Sequence, residues 1–71
     1  MRSESIRYLA MLHALATANH DDATDDDQRE HYQNIAGMIE EIVMLEGDTS
    51  AFYQELAVAD RQIQALKEGC E

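Results

Sequence analysis

Six carboxylates crowd one stretch of the chain: Asp21, Asp22, Asp25, Asp26, Asp27 and Glu30, with only Arg29 to offset them. Clustered carboxylates can hold hard cations, move protons, or meet the basic groups of another macromolecule. An EF-hand loop needs a glycine at its sixth position and a glutamate at its twelfth. Counted from Asp22, those positions are Asp27 and Gln33; counted from Asp21, they are Asp26 and Tyr32. Both registers fail. Loose attraction of divalent cations is all this stretch offers a metal.

The histidines are His13, His20 and His31. Asp27 and His31 are four apart, so they share a helical face, and Glu30 lies beside them. That trio carries the right donors for a transition metal. It has no zinc-type spacing, so His31 is expected on a solvated face and His13 at the edge of the core. Glu40 and Glu41 are adjacent, diverge around a helix, and read as surface. No nucleophile-plus-base pattern, glycine-rich phosphate loop or dinucleotide fingerprint occurs. A chain of 71 residues has little room for a concave pocket. The expectation is a protein that is not an enzyme and uses no cofactor or metal.

A basic partner is the remaining use for the carboxylates. The formal net charge is -10, and about half of it sits in the acidic stretch. Such a surface repels a nucleic-acid backbone. The basic residues Arg2, Arg7, Arg29, Arg61 and Lys67 are scattered. Direct nucleic-acid binding is therefore not expected. Capping a helix takes one or two carboxylates, so capping does not explain six. A solubilising loop and a surface for a basic protein both do.

Three helices must position these groups. The first is expected from about Glu4 to Ala18, with Ser3 as its N-cap. Ile6, Leu9, Leu12 and Ala16 recur at helical spacing, and Tyr8, Met11 and Leu15 widen the apolar arc. The second is expected from Asp25–Asp27 to Glu46. Thr24 with Asp27, or Asp27 with Glu30, fits a capping box. Tyr32, Ile35, Ile39 and Ile42 form a heptad-like seam flanked by Met38, Val43 and Leu45. Gly37 lies within this helix, as a tolerated defect or as a point of close backbone approach. Gly47 is placed to end it in a left-handed conformation.

Asp48, Thr49 or Ser50 can cap a third helix, which runs to about Lys67 along Phe52, Leu56, Ala59, Ile63 and Leu66. Met11, Met38 and Met44 read as core filler rather than an adaptable surface. The fold expected is all-α: an antiparallel helical hairpin plus an N-terminal helix, a three-helix bundle in a single domain over 1–71. The N-terminal helix folds back onto the hairpin or packs against a second copy. A core this small favours a homodimer.

Cys70 is the single cysteine, so no internal disulfide forms and the cytoplasm is the expected compartment. The N-terminal residues mimic a signal peptide only faintly, because Glu4 offsets an arginine and His13 interrupts the apolar run. No run reaches the length of a membrane span.

In composition and size the chain resembles small acidic inhibitors that phages make against host nucleic-acid-binding machinery. The resemblance implies a cytoplasmic protein-interaction module that inhibits or regulates a basic partner by nucleic-acid mimicry, through Asp21, Asp22, Asp25, Asp26, Asp27 and Glu30. The alternatives are a chaperone or adaptor that masks a partner's amphipathic helix through Tyr8, Met11 and Leu15, and a structural or regulatory homodimer.

Overall fold

The computed structural model describes residues 2–69. It consists of three α-helices: α1 (Ser3–Asp22), α2 (Asp26–Glu46) and α3 (Thr49–Gly69), with no strand among the described residues. The all-helical expectation holds, and Cys70 lies outside the described residues. The Cα atoms fill 35 × 29 × 14 Å, which is about two helix layers thick for axes ~8–10 Å apart.

The helices are packed differently from a simple hairpin. α1 lies against both α2 and α3, while α2 and α3 touch each other little. Cross-contacts set the directions. His13 meets Glu40, and Arg7 meets Glu55 while Asp22 meets Lys67. So α1 runs antiparallel to α2 and parallel to α3. The N-terminal helix folds back within its own chain and becomes the central element. The reason lies in its side chains. Ala10 and Ala14 are buried, as is Ala59 of α3, and such small residues let helix axes approach closely.

The main core cluster is Ile6, Ala10, Ile39, Val43 and Phe52, with Leu9, Leu12, Ile35 and Leu56 packed against it. Phe52 and Val43 are each 1% exposed. Both flank the α2–α3 junction, which Gly47 closes. Its φ is 76°, a left-handed value at which glycine alone is unstrained. The Gly47 N–H donates to the Met44 carbonyl at 3.2 Å and the Asp48 N–H to the Val43 carbonyl at 3.3 Å. This is a Schellman motif. The Asp48 carbonyl then accepts the Phe52 N–H at 2.9 Å and opens α3.

Two expected termini move. α1 starts behind Arg2, which makes no side-chain cap, so Ser3 is inside the helix and not its N-cap. α1 also continues four residues beyond Ala18 to Asp22. The intrinsic penalty against Asn and Asp is below about 1 kcal/mol per residue. Buried Ala16 and half-buried Ala18 and His20 carry the helix through that penalty.

The apolar seams are redistributed as well. In α2, Ile39 and Val43 are buried, whereas Ile42, Met38, Met44 and Leu45 are exposed. In α3, Phe52 and Ala59 are buried and Leu66 is exposed. Met38 and Met44 are thus not core filler, and Met11 is only half-buried. A Cβ on Gly37 would meet nothing within 4 Å, so no backbone approaches there and the glycine is a plain helix defect.

Candidate functional site: an acidic corner and an apolar flank

The acidic residues gather where α1 ends and α2 begins. Asp21 and Asp22 form the last turn of α1, Ala23 and Thr24 link, and Asp25 starts α2. All six expected partner-binding carboxylates, Asp21, Asp22, Asp25, Asp26, Asp27 and Glu30, are exposed. They occupy opposite electrostatic positions, however. Asp25 is the N-cap: its Oδ1 accepts the Gln28 N–H at 2.8 Å. Asp26 and Asp27 lie in the first turn of α2, where the helix dipole is positive and favours them. Asp21 and Asp22 sit at the C-terminal end of α1, where the dipole is negative and opposes them. Neither capping box forms the cap; a single Asx-type bond from Asp25 does.

Three cationic or potentially cationic groups thread this corner. Lys67 Nζ lies 3.6 Å from Asp22 Oδ2, and His20 Nδ1 lies 3.7 Å from Asp21 Oδ1. Arg29 Nη1 lies 3.4 Å from Asp26 Oδ1, and Arg29 Nη2 donates to the Ala23 carbonyl at 3.4 Å. These pairs are exposed and worth about 0–1 kcal/mol each. Asp25 is committed to the cap, while Asp27 and Glu30 project from α2. Among the described residues, no group of three or more His, Cys, Asp or Glu side chains is arranged to hold a metal ion. The Asp27–Glu30–His31 trio does not converge; His31 is exposed and stacks edge-on against Tyr32, with ring centroids 5.5 Å apart.

His13 has the most built environment of any polar side chain here. It lies on α1, its Nε2 is 3.0 Å from Glu40 Oε1 of α2, and its ring meets Phe52 of α3 edge-on at 5.6 Å. Nε2 acts as the donor to Glu40, and Nδ1 is buried without a partner. One imidazole therefore ties all three helices together. His13 is indeed at the core edge. Glu40 is not simple solvated surface but a half-buried acceptor for it, which adjacent-glutamate reasoning missed. An i-to-j polar pair across two helices leaves no mark in the local spacing of either.

The second-choice face is also accessible. Tyr8 and Leu15 are exposed and Met11 is half-buried. They line the side of α1 turned away from His13 and Thr17. Shallow grooves of mixed polar and apolar lining run along α1 on that other side. One is lined by His13, Thr17, Tyr32 and Gln33, another by Thr17, Asp60, Gln64 and Lys67. Among the described residues, no helix is long and apolar enough to cross a membrane. The chain matches no protein-family model, no curated protein and no solved structure.

Proposed function

We propose that this chain is a small acidic protein-interaction module of the cytoplasm that binds a basic surface on a partner protein and inhibits or regulates it. The partner's own ligand would be a nucleic acid, with exposed carboxylates standing where phosphates bind. The observation that carries this reading is the corner between α1 and α2. Its carboxylates are exposed, mounted on two helix ends, and partly neutralised only by weak surface pairs that a partner's Arg and Lys can replace. Asp21 and Asp22 add a specific point. They stand at an end of α1 whose dipole disfavours them, and only weak surface pairs with His20 and Lys67 offset that.

The test compares wild-type chain with a variant carrying Asp21→Asn, Asp22→Asn, Asp25→Asn and Asp26→Asn. Asn caps about as well as Asp, so the helices persist. Immobilised wild-type chain in native host lysate should retain a basic protein and release it as salt rises toward ~1 M, where the screening length is about 3 Å. The quadruple variant should retain far less, since each charge-assisted contact is worth roughly 1.5–3 kcal/mol when desolvated. Equal retention by both would overturn the acidic corner as the binding surface.

A homodimer is the second reading, and the exposed apolar residues of α1 and α2 favour it. Large side chains lie outside while alanines occupy buried positions. A 71-residue chain gains the burial it lacks by self-association.

A further inference from the structure

α2 carries two heptad-spaced seams, and α1 covers only one. The covered seam runs Tyr32, Ala36, Ile39 and Val43, each buried or half-buried. The other runs Ile35, Met38, Ile42 and Leu45, spaced three, four and three. Along it Ile35 is half-buried, while Met38 is 58%, Ile42 46% and Leu45 82% exposed. α1 shows a matching stripe, Tyr8, Leu12 and Leu15, spaced four and three. Tyr8 is 66% and Leu15 43% exposed. On α1, Tyr8 and Leu15 lie across the helix from His13 and Thr17, and on α2, Ile35 and Ile42 lie across the helix from Gln33, so the groove that His13, Thr17 and Gln33 line is on the other side. Leu12 and Ile35 pack against the core from this side, so the two stripes border one α1–α2 surface.

We propose that a second copy of this chain docks on that surface, pairing two α1–α2 units into a four-helix bundle. This rests on the homodimer reading above and names its face. Spacings of three and four are those of bundle cores, in which side chains interdigitate across near-parallel helices. The size fits. α1 and α2 have 20 and 21 residues, so each is about 30 Å long. Two such helices side by side present a face on the order of the 800 Å² that one partner gives a standard interface. A single docked helix would cover the groove between the stripes and leave their outer edges exposed.

Charge selects the orientation. Each copy carries -10, so the acidic corners must be kept apart. A twofold axis near Met11 and Leu12 sets Tyr8 opposite the partner's Leu15. It also separates the two corners by about the length of α1, more than three screening lengths of ~8 Å at physiological salt. The basic start of α1, with Arg2 and Arg7, then lies toward the partner's Asp21 and Asp22. Self-repulsion remains, so this dimer tightens as salt is added, whereas the binding of a basic partner weakens.

Sedimentation equilibrium on the full chain tests the face, with circular dichroism to verify folding. Wild type should sediment at twice the 8.0 kDa chain mass. Leu15→Glu combined with Ile42→Glu should raise the dimer dissociation constant about a hundredfold or more, because four carboxylates enter an apolar contact. Met44→Glu adds the same charge on the opposite flank of α2 and should leave the dimer intact. Met38→Lys replaces a side chain outside the core and lowers the net charge. It should still weaken the dimer about tenfold, and so tests the apolar seam even where the glutamate pair unfolds the chain. A monomer at all concentrations would overturn both the dimer reading and this face. A dimer that tolerates the seam variants, or one that only Met44→Glu breaks, would overturn the face alone.

Discussion

The two ends of this molecule are built on opposite terms. At the α2–α3 junction, Val43 and Phe52 are almost fully buried, Ile6 of α1 closes over them, and Gly47 turns the chain in a Schellman motif. At the α1–α2 junction nothing large is buried. Asp21 to Asp27 are exposed apart from half-buried Ala23, and the exposed Lys67–Asp22 pair links α3 to α1 there. One end holds the fold; the other presents charge. A chain this small cannot bury apolar side chains at both ends, so the end with less core is free to carry groups that packing would exclude.

Substitutions separate the two ends by size of effect. The largest belongs to the packed end. Phe52→Ala should cost about 3–5 kcal/mol through lost burial and the cavity left behind, enough to unfold much of the protein in a urea titration followed by circular dichroism. Lys67→Ala, at the open end, should cost under about 1 kcal/mol. A comparable loss for both would erase the distinction.

The glycines give the next effect, with opposite signs in a single helix and its cap. Gly47→Ala forces an L-residue to a φ of 76° and should destabilise by about 1–2 kcal/mol. Gly37→Ala should stabilise by about 1 kcal/mol, because the added methyl meets nothing within 4 Å and less backbone entropy is lost on folding. Thermal melts of both variants check this; a destabilised Gly37→Ala would reveal an unseen neighbour at that surface.

The smallest effects divide the acidic corner itself. Asp25→Ala removes the bond to the Gln28 N–H and should cost roughly 1 kcal/mol, while Asp25→Asn should cost little. Asp21→Asn and Asp22→Asn relieve charge at the negative end of α1 and should each stabilise by about 0.3–1 kcal/mol at low ionic strength. That gain should fade as salt screens it. If Asp22→Asn destabilises instead, the Lys67 pair outweighs the dipole and the corner is structural.

Much of this architecture was legible in residue order. The absence of proline, the apolar periodicity and the Gly47 stop predict three helices, and the observed α2 and α3 start and end within a few residues of expectation. The end of α1 was not legible. Asn19, Asp21 and Asp22 are weak helix formers, and the contacts of Ala16 and His20 that override them are tertiary. The carboxylates of the corner were legible as a cluster, yet their split between a favourable and an unfavourable dipole depends on where α1 stops. The His13–Glu40 link was invisible, because residues 27 positions apart share no local pattern.

Residue order alone determined an all-helical chain, its excess of negative charge and the left-handed turn at Gly47, since each follows from local backbone preference or from composition. Only the tertiary structure decided which apolar seam of α2 faces inward. Both seams have helical spacing, and the outward one, Ile35, Met38, Ile42 and Leu45, is the more apolar, so neither helical period nor hydrophobicity ranks them as the fold does. Packing ranks them through shape. The alanines of α1 and Ala59 of α3 admit close helices on one side, His13 finds Glu40 and Phe52 there, and the Tyr8, Leu15, Met38 and Ile42 side chains are left on the other.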